Sequence, residues 1–306
     1  GLWHGHTHVA LKRMAGKEQA KAFEAEARLL LLIRHPNIVQ FLGIFTDGEE
    51  QKYLVSELVK LGSLEDVLNA NHDMLPGQLM ALARDVAAGL DYLHKSGIIH
   101  RDLATRNILV KDEGSYLTPK IADLGMSKRV GKSGVYQCRF DTDEFLPFRS
   151  LAPEVFTGRM FSFQSDMFAY GVMVWEIFNH AAVPWLGLGL QEVREYAIAG
   201  QALPCTGVLP EKVHSQVVVA CASSDPTRRP TAYEAFQLFA AELEDKYQPV
   251  MSRWQSLGDM ASLGSLGESE NTLSSSPVET FVMEGSDGEG DTGDSLYLYC
   301  TKVWEH

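Results

Sequence analysis

The chain has 306 residues, 45% hydrophobic and 22% charged, which is a globular composition with room for two lobes. Its 27 basic and 40 acidic side chains leave a formal net charge of −13, which argues against general nucleic-acid binding. Cys138, Cys205, Cys221 and Cys300 form no C-x-x-C pair, so neither a disulfide framework nor a zinc knuckle is expected, and the apolar stretch 168–178 falls well short of a membrane span.

In chain order, His4, His6 and His8 alternate and would share one face of a strand. A polar hairpin is the better reading of them than a metal site. Val9-Ala10-Leu11-Lys12 reads as a short strand with Ala10 and Lys12 on one face. Residues 17–34 read as a helix with Phe23, Ala27 and Leu30 on one stripe. Glu26 falls on that stripe and Glu24 falls off it, so Glu26 is the carboxylate that needs a partner. Strand-like runs at 38–45 and 52–56 flank Asp47-Gly48, a hairpin signal.

Beyond Gly62 the pattern is mainly helical. Residues 77–95 align Leu79, Leu82, Val86, Leu90 and Leu93 on one face, and 166–178 is apolar nearly all round, opening on Asp166. From 248 to 306 two basic residues face ten acidic ones, in a Ser- and Gly-rich stretch without an apolar period. The expected architecture is α+β and bilobal. A small sheet-plus-helix lobe spans 1–61, a larger helical lobe 62–247, and a mostly disordered acidic tail 248–306.

The strongest chemical signal is His100-Arg101-Asp102-Leu103-Ala104-Thr105-Arg106-Asn107, followed by Asp123-Leu124-Gly125 and Ala152-Pro153-Glu154. With these three ordered motifs, residues 1 to about 247 resemble the catalytic domain of protein kinases, more closely the tyrosine kinases. The resemblance implies transfer of the γ-phosphoryl group of ATP, with magnesium, where catalysis is mostly positioning and charge neutralisation. Asp102 would accept the proton of the substrate hydroxyl, and Asn107 and Asp123 would hold Mg2+. Lys12 would reach phosphate and pair with Glu26. Ala10 and Leu109 would flank the adenine, Ser56 would guard the pocket behind it, and Glu57 and Val59 would offer it backbone hydrogen bonds.

Other matches are supporting. Asp166 resembles the residue that hydrogen-bonds the catalytic-loop backbone. Glu154 and Arg229 resemble the ion pair that anchors the substrate-docking loop. Leu30, Phe41, His100 and Leu124 resemble the stacked spine joining the lobes, with Leu124 in place of the usual Phe. Arg106, with Ala104 where serine/threonine kinases carry Lys, resembles the tyrosine-kinase pattern. The docking stretch 146–154 resembles it too, although Ser150 replaces the usual Trp.

No G-x-G-x-x-G precedes Val9, so the phosphate-covering loop of kinases is missing from this chain. Truncation is the favoured explanation, because the remaining catalytic residues are intact, and feeble turnover is expected of residues 1–306 alone. The competing readings are a tyrosine-kinase-like serine/threonine or dual-specificity kinase, and a pseudokinase scaffold that binds partners without catalysis.

Residues 126–151 form the expected activation segment, with Tyr136 as its one tyrosine and Arg101, Lys128, Arg129, Lys132 and Arg139 around it. Phosphate on Tyr136 would order those cations, which otherwise repel one another, although Asp141, Asp143 and Glu144 would blunt the switch. Tyr297 and Tyr299 are candidate phosphorylation sites that would recruit phosphotyrosine-reading partners, and Ser276-Pro277 suits a proline-directed kinase. The expected partners are tyrosine-bearing proteins, with no nucleic acid. The expected location is the cytoplasm, with membrane attachment arising only through upstream sequence, as in a receptor's intracellular portion.

Overall fold

The computed structural model describes residues 1–3, 7–13, 30–48, 51–114, 116–131, 134–138, 147–246, 280–284 and 299–301. They fall into two compact units, Gly1–Lys60 with the described residues beyond 265, and a larger unit within Leu61–Ser265.

The first unit is an antiparallel sheet with order β1-β2-β4-β3, built from β1 (Leu2–Trp3), β2 (Thr7–Arg13), β3 (Phe41–Thr46) and β4 (Lys52–Glu57). Strand alternation sorts its two faces. Val9, Phe45 and Val55 are buried together, with Leu11, Leu42 and Tyr53 packed around them. On the other face Ala10 lies opposite Ser56, and Lys12 opposite Leu54. The β3–β4 hairpin is closed by Asp47, whose carboxylate accepts the Gln51 N–H at 2.9 Å and the Tyr53 hydroxyl at 3.1 Å. The strand expected over 38–45 begins at Phe41, because Ile38 belongs to a turn in which its N–H donates to the His35 carbonyl. The helix expected over 17–34 lies outside the described residues apart from Leu30 and the residues after it. Thr280–Glu284 pairs in parallel with β3, and Tyr299–Thr301 pairs with Thr280–Glu284; the sequence reading placed no element there.

The second unit is mainly helical. It contains α1 (Leu64–Ala70), α2 (Pro76–Lys95), α3 (Pro153–Gly158), α4 (Phe163–Phe178), α5 (Leu190–Ile198) and α6 (Ala232–Lys246). Ser63 caps α1 with a capping box to Asp66, and Pro76 starts α2 where a missing N–H costs nothing. The stripe expected on α2 is buried as drawn: Leu79, Leu82, Val86, Leu90 and Leu93 are no more than 2% exposed. It packs against α6 and α4. Every side chain of α4 from Ser165 to Phe178 is buried, at about 1.5–3 kcal/mol of transfer free energy for each large apolar one.

Helix α4 starts earlier than expected. Ser162 caps it reciprocally with Ser165, so Asp166 is its fourth residue and not its first. Phe163-Gln164-Ser165 carry no apolar period, which hid this turn in the sequence. Gly171 is required in α4, because a Cβ there would lie 2.4 Å from the Cys221 Cβ of the neighbouring helical segment. A hairpin and an antiparallel strand pair complete the unit: β6 (Ile108–Asp112) turns into β7 (Leu117–Ile121), and β9 (Val135–Gln137) pairs with β10 (Met160–Ser162) from beyond α3. The two-residue strands β5 (Ile98–Ile99) and β8 (Lys128–Arg129) also pair. Among the described residues no helix is long and apolar enough to cross a membrane.

Candidate active site

The loop from His100 to Asn107 is held from below by α4. The Asp166 carboxylate accepts the His100 N–H at 2.7 Å on Oδ2 and the Arg101 N–H at 2.9 Å on Oδ1. His94 Nε2 lies 3.1 Å from the same Oδ2. Asp166 is 1% exposed, and its place in the first turn of α4 sets the carboxylate in the favourable field of the helix N-terminus. Arg101 sits between these anchors at φ 75°, a left-handed conformation that is strained for a residue with a Cβ. His100 is fully buried, with Nε2 3.0 Å from the Ala122 carbonyl.

This clamp presents Asp102. Arg106 Nη2 pairs with Asp102 Oδ1, and Asn107 Nδ2 donates at 2.8 Å to Oδ2 and at 2.7 Å to the Asp102 carbonyl. Both carboxylate oxygens are therefore oriented by residues four and five positions on, within a single turn of 3₁₀ helix, Thr105–Asn107.

The β6–β7 hairpin then brings the distant Asp123 beside Asn107. Ile108 pairs with Ile121, and the Ala122 N–H donates to the Asn107 carbonyl at 2.9 Å. Asp123 is exposed, in the left-handed region at φ 50°, with Oδ1 accepting the Gly125 N–H at 3.3 Å. The donor set suits magnesium. Asn107 spends its Nδ2 on Asp102, which turns its Oδ1 the other way, and Asp123 adds a hard carboxylate oxygen. Leu109 faces Lys120 across the hairpin and bridges to Ser63, while the Val110 N–H donates to the Gly62 carbonyl.

On the first unit's sheet, Ala10 and Ser56 are cross-strand partners, two small side chains side by side next to the Lys12–Leu54 pair. Glu57 and Gln40 are doubly linked: the Glu57 N–H donates to the Gln40 carbonyl, and Glu57 Oε1 accepts the Gln40 N–H at 2.8 Å. The Glu57 N–H is thus committed to the sheet, and any backbone bond to a base falls to its carbonyl. Val59 is buried. Glu26, the expected partner of Lys12, lies outside the described residues. Leu30, Phe41 and His100 are buried and Leu124 half-buried, each within its own unit.

Tyr136 is placed otherwise than expected. It is half-buried in β9 opposite Phe161, and the Arg101 guanidinium lies 5.0 Å from its ring centroid and 4.5 Å from that of Phe161. Arg101 Nη1 also donates to the Met126 carbonyl at 2.9 Å. Arg101 is therefore already packed on two aromatic faces and bonded to a carbonyl with the tyrosine unmodified, while Lys132 and Arg139, two of the cations expected around it, lie outside the described residues. Lys132, Arg139, Asp141, Asp143, Glu144, Tyr297, Ser276 and Pro277 lie outside the described residues, as do the side chain of Tyr299 and His4 and His6.

Glu154 and Arg229 form a two-pronged pair, Nη1–Oε1 at 2.6 Å and Nη2–Oε2 at 2.8 Å. The guanidinium also donates to the Ser223 and Gln164 carbonyls, so a fully buried cation has partners on every side.

Two contacts have no counterpart in the sequence reading. Glu176 Oε2 accepts both the Thr105 N–H at 3.0 Å and the Thr105 hydroxyl at 2.8 Å. Burial pushes its carboxyl above the ordinary range, while the Thr105 bonds and the Arg106 charge pull it back. A lone Glu in the otherwise apolar run before Phe178 was the available signal. Arg149 caps the loop after α4, donating to the carbonyls of Pro184, Trp185 and Leu188.

Over residues 1–239 the chain matches the family described as protein tyrosine and serine/threonine kinase. It is 35% identical over 262 residues to tyrosine-protein kinase SRK2 of Spongilla lacustris, covering 85% of this chain and 69% of that protein. It is 33% identical over 255 residues to tyrosine protein-kinase src-1 of Caenorhabditis elegans, covering 81% and 47%, and 30% identical over 253 residues to tyrosine-protein kinase FRK of Homo sapiens, covering 81% and 48%. The chain thus spans about two-thirds of the sponge protein and about half of the other two.

Proposed function

The chain belongs to the protein tyrosine and serine/threonine kinase family, and from that premise we propose that it phosphorylates tyrosine hydroxyls in protein substrates, using ATP and Mg2+. The observation that carries the tyrosine assignment is the pairing of Arg106 with Asp102. A lysine two residues after the aspartate would occupy the space beside the transferred phosphate; here that residue is the small Ala104, and the cation arrives from Arg106. The relatives bearing tyrosine-kinase names point the same way.

In this reading Asp102 receives the phenolic proton as the tyrosine oxygen forms its bond to the γ-phosphorus and the bond from that phosphorus to the β–γ bridging oxygen breaks. Arg106 and Asn107 hold the carboxylate in the orientation that meets the hydroxyl. Asn107 and Asp123 would hold Mg2+, which when bound neutralises charge on the phosphate oxygens. On the first unit Lys12 would supply a cation for phosphate and Ala10, Ser56, Glu57 and Val59 contacts for the base, and on the second Leu109 would offer the base an apolar contact. Asp166 keeps the loop backbone in place, and the Glu154–Arg229 pair braces the segment that docks substrate. Phosphorylation of Tyr136 would exchange the face contact with Arg101 for a charge-assisted one.

The test is transfer of labelled γ-phosphate by the full-length protein to a peptide offering one tyrosine, with matched peptides in which that residue is serine or phenylalanine. Label on the tyrosine peptide alone supports the reading. Label on the serine peptide at a comparable rate overturns the tyrosine assignment, and label on none overturns catalysis.

A further inference from the structure

Helix α4 carries two charged side chains, Asp166 near its start and Glu176 near its end, about 15 Å apart along the axis. Both are buried, and both accept backbone N–H groups from the same loop. Asp166 takes those of His100 and Arg101, ahead of Asp102, and Glu176 takes that of Thr105, behind it. The loop is therefore pinned at two ends to one rigid helix. Burial works against the charge on Glu176, so an ionised carboxylate held there needs the compensation that Thr105 supplies through its amide and hydroxyl.

Thr105 begins the 3₁₀ turn whose next two residues are Arg106 and Asn107. We propose that Glu176 is a positioning residue which, by fixing Thr105 through two hydrogen bonds, aims the Arg106 guanidinium at Asp102. Without the anchor the turn loses its fixed origin. Arg106, with a side chain 45% exposed, is then held on Asp102 Oδ1 by a solvent-screened ion pair alone. The proposal rests on the kinase reading for its consequence, and on the Glu176–Thr105 contact for its structure.

Two readouts separate the two. The first is NMR of the Arg106 side chain, which needs no activity. The pair with Asp102 slows rotation of the guanidinium and separates its Nη signals, and in Glu176→Leu and in Thr105→Val these should merge into the averaged signal of a free arginine. Glu176→Gln, which keeps an acceptor for Thr105, should preserve them. The second readout is steady-state transfer to a tyrosine peptide. Thr105→Val and Glu176→Leu should lower kcat at least tenfold with KM for ATP and peptide within twofold, and Glu176→Gln should recover most of the loss. If Glu176→Leu does not fold, Thr105→Val carries the test alone. Arg106 signals unchanged in the folded variants overturn the proposal, as does a loss that falls on KM. No transfer by wild type would count against the kinase reading and leave the Arg106 signals to decide on Glu176.

Discussion

Asp166 Oδ1 accepts the amide of Arg101 at 2.9 Å while Arg101 holds φ 75°, so a buried carboxylate and a strained backbone stabilise each other directly ahead of Asp102. Asp166→Ala orphans the His100 and Arg101 N–H groups, at about 1–3 kcal/mol each. Urea unfolding should show that loss. Arg101→Gly in the same background should be about 1 kcal/mol more stable than Arg101→Ala, which loses the same guanidinium contacts but keeps a Cβ at the left-handed φ. Equal stability of the glycine and alanine variants would mean that the φ at 101 carries no strain.

Arg229 is fully buried with both prongs on Glu154, so removing one partner is costly where removing both is not. Glu154→Leu should destabilise the larger unit by about 3–5 kcal/mol, and a Glu154→Leu/Arg229→Met double variant by clearly less. A thermal unfolding cycle over wild type, Glu154→Leu, Arg229→Met and the double variant measures this. Equal losses in the single and double variants would remove the pair from the account.

Inside α2, burial pushes the Asp85 carboxyl up to about 6 from an ordinary value of 3.8, against the pull of Arg84 beside it. The folded protein therefore binds that proton more tightly than the unfolded chain does. Stability should fall as pH rises from about 4 to about 6, by about 3 kcal/mol from this group. Asp85→Asn removes the dependence, so the stability of the variant relative to wild type should climb across that window in urea titrations. A flat difference would show that Asp85 titrates normally.

Ser56 and Ala10 face each other across β2 and β4 with little side-chain volume between them. The base site should accept ATP analogues bearing bulky groups on the adenine amine, and Ser56→Phe should exclude them. Competition binding of such an analogue against ATP measures it. Equal discrimination in wild type and Ser56→Phe would place the adenine elsewhere.

The parts legible in advance are those whose chemistry fixes spacing. Asn107, five residues after Asp102, ends the 3₁₀ turn Thr105–Asn107 and reaches back to that carboxylate, and Asp123 could return to Asn107 because a hairpin, Ile108–Asp112 with Leu117–Ile121, joins them. The α2 stripe was legible because a 3.6-residue period buries one face. The start of α4 was not, since its first turn is set by the polar Ser162–Ser165 cap and not by apolar period. The setting of Tyr136 was not either. Its partner Arg101 is 35 residues away in sequence and was read as a bare cation, whereas packing places it against two aromatic faces. Glu176 was visible as a charge in an apolar helix, but its partner Thr105 lies 71 residues upstream, where neither residue type nor spacing marks the pair.

The central claim, that Asp102 accepts the proton in transfer to tyrosine, is tested most directly by the kcat of full-length Asp102→Asn on a tyrosine peptide at saturating ATP. The substitution keeps the size of the side chain and one oxygen for Asn107 or Arg106, but removes the acceptor for the phenolic proton. The account predicts a loss of about 10²–10⁴ in kcat with ATP affinity unchanged. Turnover within a few-fold of wild type would contradict it.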